Sequence, residues 1–140
     1  MSAVEHTISA RGHEHVSATH GSTFELTSDD WLTPAGDCIV GVETDCTPAD
    51  LPSSFTDACR DHSATITVTL AVDGHEQVVT GRGHPDLTFE DGRSMVFRAS
   101  EYVDERTVMV SADASAEDLD RDLVAELASG ADLTVTLRVE

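Results

Sequence analysis

The sequence predicts an α+β fold that is mainly β, built as a curled or barrel-like antiparallel sheet of about eight strands with two helices. Apolar side chains alternate with polar ones from Val4 to Ala18, from Ile66 to Val72 and from Leu133 to Val139, the period of a half-buried strand. Asp73-Gly74 stands between two such runs as a hairpin turn. Thr47-Pro48-Ala49-Asp50 and Ser115-Ala116-Glu117-Asp118 each put a capping hydroxyl ahead of an acid, followed by apolar residues at helical spacing.

Taken in order, the first strand keeps an even register through Val4, Ile8, Ala10, Val16 and Ala18, with Gly12 as a bulge or kink. That register puts His13 and His15 on one face and His20 in line with Val16 on the other. Phe24 and Leu26 make a short second strand, ended by Ser28-Asp29-Asp30. The turn from Pro34 to Asp37 leads into Cys38-Ile39-Val40-Gly41-Val42, a strand apolar on both faces. Thr47 caps a helix of about three turns through Leu51, Phe55 and Cys59, with Pro52 in its first turn. After the hairpin, which returns through Val78 or Val79, Met95 to Arg98 and Thr107 to Ser111 form shorter strands joined by an acidic connection. Leu119, Leu123, Val124 and Leu127 stripe the second helix and Gly130 ends it. Residues 1–140 are expected to form a single domain, since domains commonly run to about 100–200 residues.

Internal repetition is a natural question in a chain with this much recurring vocabulary. Gly12-His13-Glu14-His15-Val16 matches Gly74-His75-Glu76-Gln77-Val78, while Arg11-Gly12-His13 matches Arg82-Gly83-His84. The two matches need different offsets, which reads as coincidence in a strand grammar rich in Gly and His.

The chain has no lysine, and 27 carboxylates face eight arginines for a formal charge of -19. Such repulsion destabilises a compact state in ordinary buffer. At about 1 M ionic strength the Debye length falls to about 3 Å, so a halophilic cytoplasm with a solvated acidic surface is the natural setting. Disorder is the competing reading of an acidic chain, but 39% hydrophobic residues in strand patterns argue against it. No basic stripe suits a phosphate backbone or an anionic membrane, and no apolar run approaches the roughly 20 residues of a spanning helix. The expected protein is soluble and cytoplasmic, with neither nucleic acid nor membrane as partner. Cys38, Cys46 and Cys59, an odd count without a C-x-x-C pair, suit a reducing compartment.

Chemistry concentrates in a few segments. His13 and His15 on one strand face could grip a divalent metal, with His20 or His84 as further ligands; alternatively these imidazoles are surface or hydrogen-bonding residues. Glu14 could orient a histidine or face water. Gly81-Arg82-Gly83-His84-Pro85 lets the backbone turn sharply and aims one side chain, or forms a strand-end bulge. Asp37 and Cys38 place an acid and a thiol at the mouth of a buried strand. A nucleophilic Cys38 needs a base or positive neighbour to lower its pKa, whereas structural burial needs none. Arg98, Ser100 and Arg106 could hold a small anionic ligand, or the arginines could pair internally with Asp104, Glu105 or Asp113. No Walker loop, dinucleotide fingerprint, nucleophile elbow or H-E-x-x-H helix is present.

The ordered blocks Gly12 to His20, Leu32 to Gly41, Gly83 to Thr88, Arg98 to Ser100, Arg106-Thr107 and Ala112 to Arg121 together resemble the archaeal, haloarchaeal-type domain-of-unknown-function family DUF371. The resemblance spans most of the chain. It implies archaeal origin and one domain, brings no activity, and directs attention to His13, His20, Asp37, Cys38, His84, Arg98 and Arg106. The chain departs from the family pattern at Gly21 and Ala114, where the pattern has lysine, and at Asp91-Gly92, where it has a second His-Pro.

The functional expectation is a small-molecule or metal-dependent enzyme whose pocket joins His13, His84, Asp37 and Cys38 as catalytic groups. In it a histidine acts as base or ligand, Asp37 orients it, and Cys38 is nucleophile or ligand. Arg98, Ser100 and Arg106 bind the ligand, and His13, His15, His20 and His84 are available to a metal. The rival is a non-catalytic ligand-binding or assembly domain. The two part on one geometric question, whether these separated blocks converge.

Overall fold

Period-two alternation is realised in eight strands, and the computed structural model describes residues 3–140. The strands are β1 (Val4–Arg11), β2 (Thr23–Thr27), β3 (Ile39–Gly41), β4 (Thr65–Val72), β5 (His75–Arg82), β6 (Ser94–Arg98), β7 (Thr107–Met109) and β8 (Asp132–Val139). Two helices, α1 (Ser53–Cys59) and α2 (Arg121–Ala128), precede β4 and β8. The fold is α+β and mainly β, as expected. The strands divide into two sheets instead of forming one: an antiparallel sheet ordered β1-β8-β4-β5 and a mixed sheet ordered β3-β2-β6-β7. In the mixed sheet β2 pairs antiparallel with β6, while β3 and β7 lie parallel to them at the two edges. Single bridges, Arg11 to Val42 and Arg82 to Val110, tie the edges of the two sheets together.

The buried faces supply one apolar core. Ile8, Ile66, Val68, Leu70, Val135 and Leu137 from the antiparallel sheet, and Phe24, Leu26, Met95 and Phe97 from the mixed sheet, are almost wholly shielded from water. Phe24 and Phe97 face each other across the β2–β6 pair with ring centroids 4.6 Å apart and nearly parallel planes. α1 packs on β1 and β8, and α2 on β3, β4 and β5.

Three local expectations are corrected. β1 stops at Arg11, because the Gly12 amide donates to the Ala131 carbonyl and the Val16 amide turns back to the His13 carbonyl. His13 and His15 therefore lie on a loop, not on a strand face. The helix expected from Thr47 is broken into a 3-10 turn, Pro48–Asp50, and α1. Pro52 lacks an amide and holds Leu51 in extended backbone, so the first turn cannot continue. The second helix repeats the device: the Asp118 carboxylate accepts from the Ser115 amide and hydroxyl around a 3-10 turn at Ala116–Asp118. α2 then starts afresh with Asp120 accepting from the Asp122 amide.

That repetition is general. Each half of the chain runs strand, strand, strand, 3-10 turn, helix, strand, from Val4 to Val72 and again from His75 to Val139. Glu25 pairs with Ile39 as Val96 pairs with Thr107, and Glu25 pairs with Val96 on the line that relates the halves. The Ser9 amide donates to the Asp45 carboxylate as the Thr80 amide does to that of Asp113. Glu43 and Ser111 both take positive φ, as do Ala18 and Phe89. Of the two sequence matches read as coincidence, Arg11-Gly12-His13 with Arg82-Gly83-His84 is a structural equivalence, and the other is not. The halves also interlock: β1 pairs with β8 of the second half, and β5 with β4 of the first.

Candidate functional site

The Gly-His segments serve the same structural purpose in each half. His13 Nδ1 accepts from the His15 amide at 3.1 Å, and His84 Nδ1 accepts from the Asp86 amide at 3.0 Å. Gly12 packs on the end of α2 through Ala131, whereas the His84 amide donates to the Cys59 carbonyl at the end of α1. The two histidines thus belong to equivalent corners on different helices, and they do not share a pocket. His84 instead meets His62 edge to face at 4.7 Å, and His13 meets His15 at 5.3 Å. His13 also borders a shallow hollow of about 270 Å³ with Arg11, Glu14, Asp30 and Gly130.

His20 closes a turn. Its Nδ1 accepts from the amides of Ser22 and Thr23, both at 3.2 Å. In the second half Asp91 does the same work, accepting from the amides of Arg93 and Ser94 at 2.9 and 2.7 Å. An imidazole whose Nδ1 lone pair is spent on amides offers a metal only Nε2. Among the described residues no group of three or more His, Cys, Asp or Glu side chains is placed to hold a metal ion. His13, His15, His20 and His84 are accordingly not gathered around a common point.

Part of the expected cluster does assemble. Parallel pairing of β2 with β3 brings the Asp37 carbonyl onto the amides of Thr19 and His20, and the Cys38 carbonyl onto the amide of Glu25. Cys38, however, has the wrong electrostatics for a nucleophile. Burial, with Glu25 and Asp37 nearby, pushes its thiol up to about 11, against a smaller opposing hydrogen bond from Thr23. Cys46 rises to about 11 and Cys59 to about 12, again chiefly through burial. All three are free thiols.

The arginines are occupied from within. Arg98, on β6, is 9% exposed. Its Nε donates to the Thr107 hydroxyl at 2.8 Å and its Nη2 to Asp104 at 3.0 Å, while its guanidinium carbon stands 4.9 Å from the Tyr102 ring centroid. Arg106 shares Asp104 through Nε and Nη2. Burial disfavours the Asp104 carboxylate, but hydrogen bonds from Arg106 and Thr107 and the charge of Arg98 outweigh it and hold the carboxyl at about 2. Ser100 is exposed, and its hydroxyl accepts from the Tyr102 amide. Of the alternatives raised for these arginines, internal pairing with Asp104 is the one seen.

A recess lies beside them, a groove of about 390 Å³ over the outer face of β2 and β6. Glu25, Thr27 and Ser94 form its floor, the loop from Asp29 to Gly36 one wall with Trp31 on it, and Arg93 and Arg106 the other. Trp31 is 55% exposed, although it is the chain's only tryptophan. The Glu25 carboxylate makes no side-chain hydrogen bond among the described residues, and its nearest cation is Arg106 Nη1 at 3.7 Å. Burial raises its pKa above the ordinary carboxylate value, with Arg106 and Arg98 opposing. Arg93 is held bidentate by Asp29. Sequence reasoning missed Glu25, Trp31 and Arg93. The available signal was a charged residue inside the short Phe24–Leu26 strand, followed closely by a lone tryptophan in a polar loop.

Residues 8–140 match the family model described as a domain of unknown function, DUF371. The chain belongs to that family. It is 39% identical over 130 residues to an uncharacterised protein of Methanocaldococcus jannaschii, a match that covers 93% of this chain and 96% of the relative. The DUF371 match takes in the second structural half, all of the first beyond Thr7, and every residue of the groove. No helix among the described residues is long and apolar enough to cross a membrane.

Proposed function

We propose that this DUF371 protein is a non-catalytic domain that binds a small ligand in the groove over β2 and β6. One observation carries the reading: an exposed tryptophan lines a recess whose floor holds a carboxylate without a side-chain hydrogen-bonding partner among the described residues. Ligand sites are concave, with an aromatic or apolar wall and a few polar groups that set orientation. The recess is of the size such ligands occupy. A catalytic centre built on His13, His84, Asp37 and Cys38 has less support, because the two histidines lie at different helix ends and the thiol is held neutral. An anion grip at Arg98, Ser100 and Arg106 likewise has less, since Asp104 already engages both guanidiniums.

Because Trp31 is the sole tryptophan, fluorescence excited at a wavelength that Tyr102 does not absorb reports on the groove. A panel of small fragments with cationic, neutral and anionic heads should contain at least one that changes Trp31 emission saturably. Calorimetry should show that binding lost in Trp31→Ala. A panel without any saturable response would remove the basis for the proposal.

A further inference from the structure

The second half of the chain contains its own version of the groove, and it is filled. Trp31 and Tyr102 stand equally far beyond the ends of β2 and β6, and both are largely exposed, at 55% and 62%. Beneath Tyr102 lies Arg98, the last residue of β6, its guanidinium against the ring, bonded to Thr107 and paired with Asp104. The equivalent residue in the first half is Thr27, the last of β2, and the equivalent of Thr107 is Ile39. Thr27 is too short to fill the space under the aromatic ring. The first-half recess is therefore open, and its carboxylate is supplied by Glu25 on the floor.

Resting on the groove as the ligand site, we propose that its ligand is a small organic cation with a guanidinium head, seated between the Trp31 face and the Glu25 carboxylate. The chain carries the template for this geometry in the arrangement of Arg98 with Tyr102 and Asp104. A guanidinium stacks on an aromatic face and donates in a planar fork that matches a carboxylate. The cations already lining the recess are committed elsewhere: Arg93 to Asp29, and Arg106 to Asp104 through two of its nitrogens. Glu25 is left with its closest charge partner beyond hydrogen-bond reach. The net charge of -19 draws cations toward the surface and repels anions.

Butylguanidinium, butylammonium, butanol and pentanoate differ only in the head on a common butyl chain, and Trp31 fluorescence reads each titration. Butylguanidinium should saturate at least tenfold more tightly than butylammonium. Glu25→Gln should weaken it at least tenfold, and Thr27→Arg, which supplies the missing internal guanidinium, should abolish it while Thr27→Ser retains it. Saturation by pentanoate or butanol but not by butylguanidinium would overturn the guanidinium assignment and leave the groove as a ligand site. Silence from all four heads and from the wider fragment panel would overturn both.

Discussion

Gly83 lies directly against the Cys59 carbonyl, and a Cβ at that position would overlap it; Gly12 stands in the same relation to the Leu127 carbonyl. Each glycine lets the chain leaving one half press on the helix end of the other, where the Gly83 amide reaches the Ala64 carbonyl and that of Gly12 reaches Ala131. Backbone does not yield as a flexible side chain would. Gly83→Ala and Gly12→Ala should each lower unfolding stability by about 2 kcal/mol, the scale of an overpacked core. Gly74→Ala meets no atom but must hold φ at +83°, so its cost should be smaller, about 1 kcal/mol. Urea denaturation of the three variants ranks them, and equal midpoints would refute the close-packing argument.

The thiols should be sluggish. With Cys38 and Cys46 at about 11 and Cys59 at about 12, almost no thiolate exists at neutral pH. Alkylation of the folded protein followed by mass spectrometry should label Cys38 first, since Cys46 and Cys59 are buried. Its rate should climb about tenfold per pH unit without levelling below about pH 10. A plateau near pH 7 would restore Cys38 as a candidate nucleophile.

Asp104 and Glu25 should act on stability with opposite signs. The Asp104 carboxyl sits at about 2 in the folded chain, below its ordinary value of 3.8. Its contribution is fully present above about pH 4 and disappears as pH falls through about 2. Asp104→Asn leaves the buried Arg98 without its carboxylate, while Arg106 keeps Glu25 nearby, and at pH 7 should cost about 3 kcal/mol, a difference that narrows with acidification. Glu25 titrates above its ordinary value in the folded chain, so ionisation works against the fold as pH rises through that range. Glu25→Gln should therefore unfold at higher temperature than the parent at pH 7, and the gain should vanish below about pH 4. Melting curves across pH for both variants test the pair, and a destabilised Glu25→Gln at pH 7 would contradict it.

Salt should stabilise this protein. Few cations are present to neutralise 27 carboxylates, and several ion pairs, such as Arg138 with Glu5, are half exposed and easily screened. Repulsion among unpaired acids dominates, so the melting temperature should rise between about 0.1 M and about 1 M potassium chloride as the Debye length shrinks from about 10 Å to about 3 Å. A flat or falling profile would contradict the halophilic reading of the composition.

The strands and turns were legible because their causes are local. Side chains alternate across a pleat whatever the strand pairs with, so β4, β5 and β8 follow from sequence, as do the Asp73-Gly74 turn and the acid-closed turns after Thr47 and Ser115. Pro52 could have announced the broken helix, since its missing amide and its effect on Leu51 are local as well.

What the tertiary structure alone decided is where distant segments close their hydrogen bonds. Periodicity carries a residue's face but not its partner, so one sheet became two, and β1 was cut short by a carbonyl at Ala131 that lies far along the chain. The same closure sent His13 and His84 to separate corners and gave His20 the task that Asp91 performs in the other half. The two halves share backbone hydrogen bonds far more than side chains. Thr27 and Arg98 look unrelated in sequence, yet at equivalent backbone positions, the last of β2 and of β6, they are the difference between an open groove and a filled one.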